Sequence, residues 1–139
     1  MTVIYIITHG EMGKYIVDTS RMIIGKYENI KSYSLMPGVS VDELKVTIIE
    51  EIYKDLEEEK DILIMLDVIG GSPFNMIIPF LKEKNIECVT GINLPMLLEV
   101  LINRDKKNLK ELAKLAYKEG RNGVVNLREM LENNMKRED

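Results

Sequence analysis

One histidine, one cysteine and no tryptophan occur in this chain of 139 residues. With a single imidazole and a single thiol, a metal site would have to be rich in carboxylates, so nucleophile or acid–base roles lead for His9. Cys88 has no second cysteine to pair with. No histidine lies near it in sequence to activate it, and its apolar-leaning surroundings read as those of a small buried residue. No apolar run approaches the length of a bilayer span. The N-terminus lacks a positive leader and a small-residue cleavage site, so its apolar segment reads as a first strand and a cytoplasmic location is expected. No cluster of Lys and Arg is free of acids, and the net charge of −4 argues against nucleic acid as the main partner. Repeats and low-complexity segments are absent.

The remainder is ordinary for one globular domain. Hydrophobic residues make up 45% and charged residues 30%, enough apolar content at this length for a single core. Short β-rich runs alternate with longer segments of helical period, the pattern of an α/β protein whose open, doubly wound, mainly parallel sheet carries helices on both faces. Strands are expected at 3–8, 30–35, 61–66 and 87–90, with 30–35 near an edge and 61–66 in the buried middle. A helix over 12–24 would bury Tyr15, Ile16, Thr19, Met22 and Ile23 and stop at Gly25. Ser40 and Glu43 form a capping-box pattern ahead of Leu44, Ile48, Ile49 and Ile52. The charged end of that helix, 55–60, reads as solvated. A third helix should run to about Lys84, with Ser72 as its cap and Pro73 at its first helical position. Asn93 and Pro95 look like cap and early-helix residues for 96–103, and Asn108 with Glu111 caps a helix over 109–118 that Gly120 ends. Residues 123–127 suggest a fifth strand. The domain is expected to span 1–127, and the charged tail 128–139 to fray or continue as a short helix.

Chemistry concentrates at one rim. In a parallel sheet, residues just beyond the first and third strands emerge on the same side, which brings His9 and Asp67 together if those strands are neighbours. The carboxylate would hold one imidazole nitrogen and leave the other free to attack. Spacing alone supports equally a plainer arrangement, in which Asp67 caps a loop and His9 fills a turn. Gly70, Gly71, Ser72 and Pro73 then supply a close-approach turn and a helix start whose free N–H groups favour an anion by about 0.3 to 1 kcal/mol at exposed sites. A phosphoryl group on His9 would need such donors, with the Ser72 hydroxyl and nearby amides the best-placed set.

Several motifs in order carry a resemblance: Ile7-Thr8-His9-Gly10, Met36-Pro37-Gly38, Asp67 with Gly70-Gly71-Ser72-Pro73-Phe74-Asn75, Gly91-Ile92-Asn93-Leu94-Pro95-Met96-Leu97, and Gly120-Arg121-Asn122-Gly123-Val124. Together they resemble the IIA component of the mannose, fructose and sorbose family of the bacterial sugar phosphotransferase system. The resemblance implies that His9 accepts a phosphoryl group from the phosphohistidine of HPr and passes it to a histidine of IIB, with Asp67 as the partner carboxylate. It also implies a sheet in the order 2-1-3-4 and a homodimer that exchanges a C-terminal strand, here 123–127. Val68 and Ile69 depart from the best-known mannose member, which has a polar residue and a tryptophan there. The chain ends soon after the IIA-like region, so a separate IIB protein is expected, with membrane permease components engaged only indirectly. Met12, Met36, Val68 and Ile69 are candidates for a partner-facing rim. No cofactor or metal is called for.

Two other functions fit parts of the sequence. The same domain could donate phosphoryl groups to a dihydroxyacetone kinase or serve a regulator. A receiver-like module phosphorylated on Asp67 is the other, but the loop after the first strand offers His9 and Glu11 in place of a closely spaced acidic pair for magnesium.

Overall fold

The computed structural model describes residues 1–138. At its centre lies β1 (Val3–His9), whose large side chains at 3–7 are essentially without solvent contact. Such β-branched and aromatic residues suit a strand covered on both faces. β2 (Ile30–Leu35), β3 (Ile62–Leu66) and β4 (Ile86–Val89) complete a parallel sheet in the expected order β2-β1-β3-β4. β2 is indeed an edge, and β3 is buried along its whole length.

Helices supply the crossovers. α1 (Met12–Ile24) joins β1 to β2, α2 (Val41–Glu57) joins β2 to β3, and α3 (Ser72–Ile77) runs into a 3₁₀ turn, Ile78–Lys82, before β4. α4 (Leu94–Asn103), α5 (Leu109–Asn122) and α6 (Leu127–Glu138) follow. The alternation of β1 divides the core in two. Val3, Tyr5 and Ile7 pack with Ile48 and Ile52 of α2 and Met76 and Ile77 of α3. Ile4 and Ile6 pack with Val17 of α1, Leu97 of α4 and Leu112 of α5. Each fully buried side chain of this kind contributes about 1.5–3 kcal/mol. The caps fall where the sequence places them: Ser40 accepts from the Glu43 amide, Asn93 from Met96 and Asn108 from Glu111. No helix among the described residues is long and apolar enough to cross a membrane.

Several local expectations are corrected. α1 buries Gly13, Val17 and Ser20, while Tyr15, Met22 and Ile23 are exposed. Small residues let this helix approach the sheet closely: a Cβ on Gly13 would meet Ile6 Cγ2 at 2.9 Å. The third helix is short because Pro79 lacks the N–H that an α-helix would bond to the Asn75 carbonyl. Gly120 does not end α5. It is buried inside the helix, where a Cβ would stand 2.6 Å from Met96 Cε, and Gly123 caps the end. Asp55 is also not solvated. It lies on the buried face of α2 beside Ile48 and Ile52, accepts the Tyr5 hydroxyl, and pairs with Lys31 at 2.8 Å.

The expected strand at 123–127 does not form within the single chain. Residues 124–126 have no regular structure, and Leu127 begins α6. A strand exists only through pairing with a neighbour, and among the described residues no segment pairs with the outer edge of β4. Beside that edge runs a groove of about 710 Å³, bordered by Cys88, Thr90, Ala113, Tyr117 and Val124.

Candidate active site

β1 and β3 are adjacent and parallel, with Ile7 opposite Leu66, so the chain leaves both strands on one rim. His9 is the last residue of β1, and Asp67 follows β3 directly. The two meet as the strand adjacency requires: His9 Nδ1 lies 2.8 Å from Asp67 Oδ2. The same oxygen accepts the His9 backbone N–H at 2.8 Å, while Oδ1 accepts the Val68 N–H at 2.8 Å. The carboxylate therefore holds the ring and the backbone that carries it. Its own position is pinned from the far side, where the Gly91 N–H donates to the Asp67 carbonyl at 3.1 Å.

Exposure separates the two partners. The Asp67 side chain is 11% exposed and the His9 side chain 48%. Burial pushes the Asp67 carboxyl up, but the His9 amide, the His9 ring and the Val68 amide outweigh it and hold the group below its ordinary value. An ionised Asp67 accepts from Nδ1–H, which fixes the tautomer and leaves Nε2 as the nitrogen with a free lone pair.

The two glycines differ in purpose. Gly70 has φ +84° and open space where a side chain would go, so its glycine serves the turn. Gly71 has an ordinary φ of −85°, but a Cβ there would lie 2.8 Å from His9 Cε1 and 3.4 Å from Nε2. Its missing side chain is the space the imidazole occupies. Gly71, rather than Ser72, is the N-cap of α3. Ser72 is exposed at the first helical position, one residue beyond the glycine that borders the ring. Met12, Met36, Val68 and Ile69 are all exposed, Ile69 at 73%.

Thr8, which spacing and motif do not single out, also takes part. Its hydroxyl is fully buried, donates to the Gly10 carbonyl at 3.3 Å and accepts the Gly13 N–H at 3.0 Å. The one signal in the sequence is a hydroxyl at the end of an apolar strand, beside the histidine.

This geometry accompanies a chain-wide similarity. A family model described as the PTS system fructose IIA component, EIIA-man, matches residues 3–117. The chain belongs to that family. Among its relatives is the mannose-specific EIIAB component of Escherichia coli, 34% identical over 131 residues, covering 92% of this chain and 40% of that protein. The chain thus spans about two fifths of that relative's length. The fructose-specific EIIA component of Bacillus subtilis is 32% identical over 105 residues, covering 75% of this chain and 71% of that one. The crystal structure of phosphotransferase system component EIIA from Streptococcus agalactiae superposes with a TM-score of 0.82 at 25% identity, covering 92% of this chain and 98% of that one. For this IIA family member, His9 and Asp67 therefore occupy the rim of a sheet shared with solved IIA proteins.

Proposed function

We propose that this IIA chain is a cytoplasmic phosphoryl carrier that accepts a phosphoryl group from phospho-HPr on His9 and passes it to a histidine of a IIB component. The observation that carries the reading is the 2.8 Å bond from His9 Nδ1 to Asp67, which leaves Nε2 free on a half-exposed ring. In the forward step the Nε2 lone pair attacks phosphorus in line, and the phosphorus–nitrogen bond to the donor histidine breaks. The Nδ1 proton stays in place. Positive charge that builds on the His9 ring in the transition state is stabilised by Asp67, and the reverse geometry delivers the group to IIB. Positioning and electrostatics supply the catalysis, because the acceptor needs little further covalent machinery.

In this reading the Gly70–Gly71–Ser72 turn cradles the phosphoryl oxygens, with the Ser72 hydroxyl and the adjoining amides as donors. The apolar rim of Met12, Met36, Val68 and Ile69 suits brief contact with two successive partners, since a carrier bound tightly to one could not serve the next. The sugar is recognised by membrane components and not by this chain. A homodimer is part of the same proposal: residues 123–127 of a second copy would add to the free edge of β4, where Val124 and Val125 are exposed and the groove lies open.

The decisive experiment incubates the protein with HPr, its kinase and radiolabelled phosphoenolpyruvate, then maps the label. Acid-labile, base-stable label on His9 that disappears in His9→Ala is expected. Label that survives acid, or that persists in His9→Ala, would refute the carrier assignment, and base-labile label on Asp67 would favour the receiver-like alternative.

A further inference from the structure

α1 begins without a local cap. Glu11 occupies its N-cap position and makes no side-chain cap bond, although the first amides of any helix need an acceptor. One of them, the Gly13 N–H, finds that acceptor on the strand before it, in the Thr8 hydroxyl at 3.0 Å. The same hydroxyl donates to the Gly10 carbonyl at 3.3 Å. Thr8 lies on the face of β1 that also bears Ile6, and both side chains close on Gly13, whose missing Cβ would otherwise stand 3.2 Å from the Thr8 oxygen.

The turn between His9 and α1 is therefore closed at both ends by one side chain. Its backbone is tied elsewhere by the His9 N–H to Asp67 and by the Gly10 N–H to the Leu35 carbonyl at 2.8 Å. Gly10 adopts φ +59°, a conformation a glycine enters and leaves easily, so the peptide after His9 has no intrinsic stiffness. Of the contacts that hold it among the described residues, the bond from Thr8 is the one supplied by a side chain outside the His9–Asp67 pair. A buried hydroxyl at this site would be costly unless paired, and here both its donor and its acceptor capacity are used.

We infer that Thr8 is a positioning residue for His9: its hydroxyl anchors the start of α1 through the Gly13 N–H at 3.0 Å, with a longer contact to the Gly10 carbonyl, and thereby holds the imidazole in register with Asp67. The inference rests on the phosphoryl-carrier reading for its kinetic consequence, but the ring geometry can be read without any transfer. Because His9 is the only imidazole, all histidine ring signals in nuclear magnetic resonance spectra of the labelled protein belong to it.

The test compares two pairs that differ in the hydroxyl alone, Thr8 with Thr8→Val and Thr8→Ser with Thr8→Ala, by ring-nitrogen shifts and by single-turnover transfer from phospho-HPr. Thr8 and Thr8→Ser should show one tautomer, protonated at Nδ1. Thr8→Val and Thr8→Ala should show ring nitrogens averaged between tautomers and transfer slowed by about ten- to hundred-fold, the range expected when a reacting atom is misplaced by about an ångström. Folded Val and Ala variants with unchanged ring signals would overturn the inference. So would a Thr8→Ser protein as impaired as Thr8→Val. If Thr8→Val does not fold, the Ser and Ala pair decides; loss of fold in both hydroxyl-free variants would assign Thr8 a purely structural role. Failure of the unaltered protein to take label would instead refute the carrier reading and leave the tautomer comparison standing.

Discussion

Gly71→Ala should cripple transfer while leaving the fold almost as stable as before. The backbone at 71 accepts any residue, at φ −85° and ψ 179°, so strain is not the issue. The new methyl would lie 2.8 Å from His9 Cε1, whereas carbon atoms in favourable contact stand about 3.5–4.0 Å apart. The ring must therefore recede by roughly 0.7 Å or more. A displacement of that size is larger than the margin that the 2.8 Å bond from Nδ1 has within the useful range of about 2.7–3.2 Å, so the ring cannot recede and keep its present alignment on Asp67. A hydrogen bond to a charged group contributes about 1.5–3 kcal/mol, and each 1.4 kcal/mol is about tenfold in rate, so transfer should slow by about ten- to hundred-fold. Stability moves little, because a half-exposed imidazole can swing into water. Loss of a glycine N-cap, about 0.5–1 kcal/mol, is offset by the stiffer unfolded chain that alanine confers. Gly70→Ala is the matching control: no atom lies near its Cβ, but φ +84° costs about 1–2 kcal/mol, so urea unfolding shifts while the ring stays in place. Rapid-quench transfer from phospho-HPr, ring-nitrogen shifts and urea titration together make the measurement. A Gly71→Ala protein with unaltered ring shifts and an unaltered transfer rate would refute the steric reasoning.

Asp67→Asn should slow transfer by about ten- to hundred-fold through loss of the charge that faces the imidazolium, and a rate equal to that of the unaltered protein in the same assay would make the carboxylate purely structural. For Asp55, burial pushes the carboxyl up, but Lys31, the Tyr5 hydroxyl and Lys60 outweigh it and hold it below its ordinary 3.8. A lowered folded pKa means that its stabilisation is present above pH 3.8 and is lost as the pH falls through the folded value; acid unfolding followed by circular dichroism should be less steep in Asp55→Asn. At neutral pH that variant should lose about 2 kcal/mol in urea titration, less than the 3–5 kcal/mol of a fully buried pair, because Lys31 is 29% exposed and keeps Glu51 at 2.9 Å. Val125→Asp should raise the dissociation constant of the proposed dimer in sedimentation equilibrium, and an unchanged mass at every concentration would remove residues 123–127 from that interface.

Much of the architecture is legible because it depends on local chemistry. Ser40 with Glu43 and Asn108 with Glu111 mark helix starts from four residues each, and short apolar runs between segments of helical period mark strands. His9 and Asp67 could be paired in advance because parallel strands share a rim. What escaped is decided by partners distant in sequence. Gly120 looks like a stop until Met96 is seen to need its space, and Asp55 looks solvated until Tyr5 and Lys31 arrive from β1 and β2. Its spacing from Ile48 and Ile52, on one helical face, was the signal available. The face of α1 was misplaced because Gly13 and Ser20 are buried for their smallness and not for their hydrophobicity. Residues 123–127 remain strand-like in composition without a strand, since pairing belongs to two segments and not to one.

The bond between His9 and Asp67 spans 58 positions of chain, across two strands of which neither is the other's nearest neighbour in sequence. Closing loops of that length is slow relative to forming helices, so the pair is assembled only after the central ladder of the sheet has zipped. A nascent or partly folded chain would carry an ordinary, unoriented imidazole. Reactivity at position 9 is then a clock for the completion of folding: in a refolding experiment, competence to take label should lag behind helix formation, and the protein enters service only when its whole centre is in place.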